Sequence, residues 1–367
     1  MDRDTLQGIA AHILAKERRL LCQWATGTGK SNVALRFIKD NPGISCLILV
    51  PEQNNIDNWK GEFSKFGASL DNVSISCYAS FHKYINTRWD FIVLDEVPHI
   101  DTELRKKVCS SVHGEYILAL GAVVDDDELQ SLEGSYGKFY KSEVTLSQAI
   151  EWGIIPRPKI CIVHLSLDNT VKCYYVNGKR ATEYEKYRYI TQKIEAAKDA
   201  YQSSPTKANE RIVFTEGMER KRFLGKIKID AVRYIAKNLD DKNRRYLCFC
   251  SSIKQAQELG GYNAFTSKTK KSQRVLDKFN NHEINSLFVV SKLIEGQNLV
   301  DIESGIIVQL GGTKRITVQM IGRILRSKNP IVYIPVFDGT KDNSFLWTVT
   351  DSIPEDCISH YNLKTNR

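Results

Sequence analysis

At 367 residues the chain exceeds what one hydrophobic core usually organises, so two lobes are expected. A hydrophobic content of 42% with 26% charged residues excludes a chain disordered over most of its length. Lys and Arg outnumber Asp and Glu by 52 to 43, and the resulting formal charge of +9 suits a polyanionic partner without requiring one.

In chain order, the first twenty residues are polar and mixed in charge, which excludes a signal peptide there. Short apolar runs at 20–24, 46–50, 91–94 and 116–120 then alternate with helix-like stretches such as 32–39 and 54–66. A second series follows at 246–250, 287–290, 306–310 and 331–336, with helical spacing at 252–259 and 317–325. Such runs, lacking polar alternation, read as strands covered on both faces, and strands alternating with helices argue for parallel α/β sheets. The expected architecture is therefore two tandem α/β lobes, 1–155 and 246–345. Residues 156–245, which include a strand-like run at 159–167, read as a linker and basic elaboration, and 346–367 as a tail. Within the elaboration, 219–238 reads as one helix with Phe223, Ile227, Ile229, Val232 and Ile235 as its buried stripe. Its Arg220, Lys221, Arg222, Lys226 and Lys228 are either duplex contacts or a solvated helix face.

The nine cysteines have no zinc-ligand spacing, and the seven histidines do not cluster near them. They read as free thiols in a reducing compartment. No apolar stretch reaches the roughly 20 residues of a membrane helix. The expectation is a soluble, cytoplasmic protein with no membrane partner.

The run at 20–24 leads directly into Ala25-Thr26-Gly27-Thr28-Gly29-Lys30-Ser31 and then a helix. That is the strand, glycine loop and helix of a phosphate-binding P-loop. Its glycines let backbone N–H groups curl around phosphates, and the helix start adds its positive end. Lys30 is placed to reach the β- and γ-phosphates of ATP and the Ser31 hydroxyl to ligate Mg²⁺. Phe91–Leu94 ends in Asp95-Glu96, the second carboxylate site such an enzyme needs: Asp95 for the metal, Glu96 for the attacking water. Near the other end, Gln319, Arg323 and Arg326 fall on nearly one helical face. Arginine is planar, permanently charged and bidentate, as charge on a γ-phosphate demands. Gly322, beside Arg323, costs helix stability and so signals close approach of another surface.

Taken together, these residues resemble the motifs of superfamily 2 helicases of the DEAD/DEAH type. The branch is the one shared with restriction-enzyme motor subunits and phage-type helicases, and the resemblance spans 6–336. It implies two RecA-like lobes with the ATP cleft between them. Gln7 stands where the family has an adenine-reading glutamine. Pro51 closes a motif Ia-like run followed by Trp59, and Ser80-Phe81 lies in a strand-contacting motif. Pro98 and His99 depart from the DEAH pattern, and Gly121-Ala122 replaces the hydroxyls of motif III. Residues 145–156 resemble the connection between the lobes. Ser251 resembles motif IV, Thr266 the segment after it, and Glu295-Gly296 motif V, with Asn298 where Asp is frequent. Motif VI makes Gln319, Arg323 and Arg326 catalytic, the arginines reaching across the cleft. Nucleotide contacts are expected from Gln7, Thr26 to Ser31, Glu295 and Gly296. Strand contacts are expected from Pro51, Ser80, Phe81, Ser251, Thr266 and Ser291, mostly to phosphates.

The resemblance implies a DNA helicase of replication, recombination or repair, phage-like in its short length, with RNA as another track. Partner proteins of those pathways, or a nuclease, are implied with it. A duplex translocase, the motor subunit of a restriction or defence complex, and an ATP-binding scaffold with weak turnover are the alternatives.

Overall fold

The apolar runs form two sheets in which every pairing is parallel. The computed structural model describes residues 1–99, 102–269, 272–290 and 299–363.

The first lobe runs α1 (Arg3–Glu17), β1 (Arg19–Trp24), α2 (Ser31–Asp40), β2 (Cys46–Val50), α3 (Gln53–Phe66), β3 (Val73–Cys77) and β4 (Arg88–Leu94). It continues with α4 (Thr102–Ser111), β5 (His113–Gly121), α5 (Asp126–Tyr136), β6 (Tyr140–Val144) and α6 (Leu146–Glu151). Its sheet order is β3-β2-β4-β5-β1-β6. Alternate residues of a strand face opposite sides, and both sides are buried here. Ile48 and Val50 pack in a cluster with Leu14 of α1, Val33 of α2 and Phe63 of α3. Leu47 and Leu49 pack on the other face with Val108 of α4 and Leu132 of α5.

The second lobe begins earlier than the sequence suggests. Strand β7 (Lys159–Leu165) is followed by a hairpin, β8 (Tyr174–Val176) and β9 (Lys179–Ala181), and by helices α7 (Glu183–Ser203), α8 (Lys207–Ile227) and α9 (Ile229–Asp241). Then come β10 (Tyr246–Phe249), α10 (Ile253–Gly260), β11 (Ala264–Phe265), α11 (Ser272–Asn280), β12 (Ser286–Val289), β13 (Ser304–Ile307), α12 (Lys314–Ile324), β14 (Ile331–Phe337), α13 (Trp347–Thr350) and β15 (Ile358–Asn362). The order is β11-β12-β10-β13-β14-β7-β15. The stretch expected to be a linker thus supplies β7, paired with β14 from Ile331↔Lys159 to Phe337↔Leu165, and the tail supplies β15 at its flank.

The helix expected over 219–238 is two helices that break at Lys228. The break carries a charge inward. Lys228 Nζ lies 2.8 Å from Asp342 Oδ2, with both side chains 1% exposed, and also donates to the Val308 carbonyl at 2.8 Å. Lys228 is therefore no duplex contact. Of the four basic residues named with it, Arg222 and Lys226 are exposed.

Candidate nucleotide cleft

All the first-lobe motifs leave the sheet at one edge, because parallel strands put every carboxyl end on the same side. Gln23 is paired with Gly121, and Leu94 with both Ala119 and Leu49. The phosphate loop, the Asp-Glu box, Gly121-Ala122 and Pro51 are therefore neighbours along that edge. Ser80 and Phe81 follow β3 in a 3-10 segment, and Ser251 and Thr266 follow β10 and β11 at the same end of the second sheet.

The phosphate loop is held from outside by α1. Gln7 is 2% exposed, and its Nε2 donates to the carbonyls of Thr28 at 3.2 Å and Gly29 at 3.0 Å. Arg3 Nη2 donates to the Gly27 carbonyl at 3.2 Å and to the Ile154 carbonyl, in the connection between the lobes, at 2.7 Å. In a trans peptide C=O and N–H point oppositely, so carbonyls drawn to α1 turn the Gly29 and Lys30 N–H groups into the loop. Gly29 has φ 81, and a Cβ there would lie 2.4 Å from Gln7 Nε2, so the loop admits only glycine at this point. The Thr28 hydroxyl closes the curl on the Ala25 carbonyl at 2.8 Å. Lys30 Nζ arches back to the Trp24 carbonyl at 3.0 Å. Gln7, expected at the adenine, is engaged with the loop, and Arg3 was not foreseen.

Opposite the loop, Asp95 Oδ2 accepts a hydrogen bond from Trp59 Nε1 at 2.8 Å, and its main-chain carbonyl accepts one from Tyr78 at 2.7 Å. Enclosure of the carboxylate and repulsion from Glu96 push Asp95 up to about 7, against the Trp59 hydrogen bond and the charge of Lys30. Glu96 is held at φ 47, a left-handed conformation that costs a non-glycine residue energy and is typical of functional turns. Among the described residues its buried Oε2 has no hydrogen-bond partner. Two crowded carboxylates, one with an orphaned oxygen, form a donor set whose chemistry suits a divalent cation. Ser31 and Asp95 fit Mg²⁺, which binds through few protein oxygens alongside substrate phosphates.

The altered motifs touch each other. A Cβ on Gly121 would lie 3.1 Å from Pro98 Cδ and 2.8 Å from Val124 Cγ2. A side chain at position 121 and the proline of the Asp-Glu box compete for one space.

From the second lobe, α12 meets the phosphate loop. A Cβ on Gly322 would lie 2.8 Å from Thr26 Cβ, which is the close approach the glycine signalled. Arg323 and Arg326 are carried on this side. Arg326 Nη1 donates to the Leu299 carbonyl at 3.0 Å. Burial of its guanidinium, then the like charge of Arg323, lower its pKa to about 10, with Glu62 of the first lobe opposing, while the residue as a whole stays exposed. Arg315, on the first turn of α12, pairs with Glu128 of α5 at 3.2 Å.

Two expected strand contacts are occupied otherwise. Thr266 is 1% exposed and its hydroxyl shares a turn with Thr269 at 2.8 Å. Ser251 donates to Gln255 Oε1 at 2.8 Å beneath Gly225 of α8. Pro51, Ser80 and Phe81 are half-buried. Ser291, Glu295, Gly296 and Asn298 lie outside the described residues. No helix among the described residues is long and apolar enough to cross a membrane.

A family model described as the type III restriction enzyme res subunit matches residues 1–87. The chain is 24% identical over 352 residues to the DNA 3'-5' translocase XPB2 of Sulfurisphaera tokodaii, a match covering 88% of this chain and 78% of that protein. Among solved structures, the DEAD-box helicase Mss116 bound to ssRNA and UDP-BeF aligns with TM-score 0.61 at 13% identity, over 98% of this chain and 75% of that one. A fragment of a putative HsdR subunit of a type I restriction enzyme from Vibrio vulnificus YJ016 aligns with TM-score 0.60 at 15% identity, over 98% and 67%. In motif order and sequence likeness the chain is similar to superfamily 2 proteins of the DEAD/DEAH helicase type, and its fold is that of two RecA-like lobes.

Proposed function

We propose that the chain is an ATP-driven motor on DNA. The observation that carries the reading is the apposition of Gly322 and Thr26, which sets the arginine helix of one lobe against the phosphate loop of the other. ATP binds at the loop through the Gly29 and Lys30 N–H groups and the Lys30 ammonium. Ser31 and Asp95 hold Mg²⁺, which supplies charge neutralisation at the phosphates. Glu96, with an oxygen to spare, orients the attacking water and accepts its proton. Arg323 and Arg326 meet the charge that builds on the transferred group. Because the site is shared between lobes, ATP favours the closed arrangement and product release relaxes it. Strand contacts along the carboxyl edges of both sheets would then shift against each other. The likeness to a DNA 3'-5' translocase supports DNA as the track and 3'-to-5' as the direction.

The test is steady-state hydrolysis by wild type and Glu96→Gln, with and without single-stranded DNA, duplex DNA and RNA. Stimulation by DNA that Glu96→Gln abolishes supports the motor. Turnover indifferent to any polymer overturns it.

A second reading, translocation on duplex without strand separation, is favoured by the Gly121–Pro98 contact. That contact stands where the family places the hydroxyls joining hydrolysis to unwinding. Tracking measured by triplex displacement, alongside unwinding of a forked substrate, separates the two readings.

A further inference from the structure

The apolar contact of Gly121 with Pro98 and Val124 stays within the first lobe, and the residues just beyond it reach the second. Val124 leads into Asp125, which caps α5: its Oδ1 accepts from Glu128 N at 2.9 Å, and Asp125 N donates to Glu128 Oε2 at 3.0 Å. This reciprocal capping box uses only one oxygen of Glu128. The other, Oε1, accepts from Arg315 Nη1 at 3.2 Å, across the lobe boundary. The Glu128 side chain is 10% exposed and that of Arg315 26%, so the pair is shielded from salt more than a surface pair would be. Arg315 lies one helical turn before Gln319 and two before Arg323 on α12, the helix that also brings Gly322 against Thr26. A continuous set of contacts thus runs from Pro98 beside the Asp-Glu box, through Gly121 and Val124, to Glu128, Arg315 and the arginine helix.

We propose that Glu128 and Arg315 are positioning residues. Their ion pair couples the hydrolytic edge of the first lobe to the arginine helix of the second, in place of the hydroxyls lacking at Gly121-Ala122. The inference rests on the motor reading above. The pair forms only while α12 sits against α5, so it contributes to the closed arrangement and not to either lobe alone. Such a contribution is seen as coupling between nucleotide and DNA sites, which a merely structural contact would leave unmoved.

The experiment uses the full chain and compares DNA affinity, by fluorescence anisotropy on a labelled single strand, with and without a non-hydrolysable ATP analogue. Glu128→Gln is informative because glutamine also serves at this capping position, so the helix start survives while the charge is lost. In Glu128→Gln and in Arg315→Gln the ratio of the two affinities should move toward one by about fivefold, with nucleotide-free DNA affinity kept. The double variant should add nothing further, and the exchange Glu128→Arg with Arg315→Glu should recover part of the ratio. A wild-type ratio in both single variants overturns the proposal. So does a wild-type chain whose ratio is already one while DNA still stimulates its turnover, a result that leaves the motor reading standing. Absence of DNA-stimulated turnover in wild type overturns the motor reading and this inference with it.

Discussion

Gly322 of α12 lies so near Thr26 of the phosphate loop that a Cβ at 322 would fall 2.8 Å from Thr26 Cβ and 3.5 Å from its Oγ1. Neither atom is the far end of a flexible chain, so an added methyl must push the lobes apart. Gly322→Ala should therefore lower DNA-stimulated kcat about tenfold, equivalent to about 1.4 kcal/mol of transition-state stabilisation. Its thermal midpoint should not fall, because alanine is the better helix former. Wild-type kcat in this variant would mean that the contact is not made during turnover.

Trp59 holds Asp95 through a single indole N–H at 2.8 Å. Trp59→Phe keeps much of the buried ring and removes the donor. Losing a hydrogen bond to a charged group costs about 1.5–3 kcal/mol of support for the ionised carboxylate. The Mg²⁺ concentration for half-maximal hydrolysis should rise about tenfold or more, measured by titrating metal at saturating ATP. An unchanged metal requirement would show that Asp95 needs no such orientation.

The sequence exposed the middle of each sheet and hid the margins. The eight runs first read as strands are central ones, whereas β3 and β6 flank the first sheet and β11 and β15 the second. An edge strand has one neighbour and often one wet face, so Tyr140–Val144 can read Tyr-Lys-Ser-Glu-Val and still pair. Motif residues were legible where chemistry demands one side chain, as at Lys30, Asp95, Glu96 and Gly322. Partners distant in sequence were not: Arg3 on the loop, the Trp59 hydrogen bond and the Glu128–Arg315 pair follow from folding alone. Thr266 shows the converse, since a hydroxyl at a motif position says nothing of whether a neighbouring threonine has already claimed it.

Gln7 pins two loop carbonyls with one amide, at 3.2 and 3.0 Å. In Gln7→Ala those carbonyls lose their tether, and the N–H groups that follow no longer converge on the phosphates. KM for ATP should rise about tenfold while kcat at saturation changes little, because the loss falls on binding common to ground and transition states. A matching fall in kcat with KM unmoved would instead assign Gln7 to the chemical step. Arg3→Ala, removing the tether on Gly27, should act in the same direction.

The Lys228–Asp342 pair is sealed in the second lobe, and its stability consequences are asymmetric. Asp342 also accepts from Gln309 Nε2 at 2.6 Å and from Phe337 N at 3.2 Å, so it organises the chain after β14 as well as the α8–α9 break. Burial draws the Lys228 ammonium below its ordinary range, and Asp342 works against that shift. Lys228→Met leaves Asp342 charged without its cation and should cost about 3–5 kcal/mol of stability. Pairing it with Asp342→Asn removes the stranded charge, keeps an acceptor for Phe337 N, and should restore a large part of that loss. Denaturant unfolding of the single and double variants measures both. If Lys228→Met alone unfolds at the wild-type midpoint, the buried charge does not hold the helix break. A double variant no more stable than the single would place the loss in packing around the lysine stem rather than in the unpaired carboxylate.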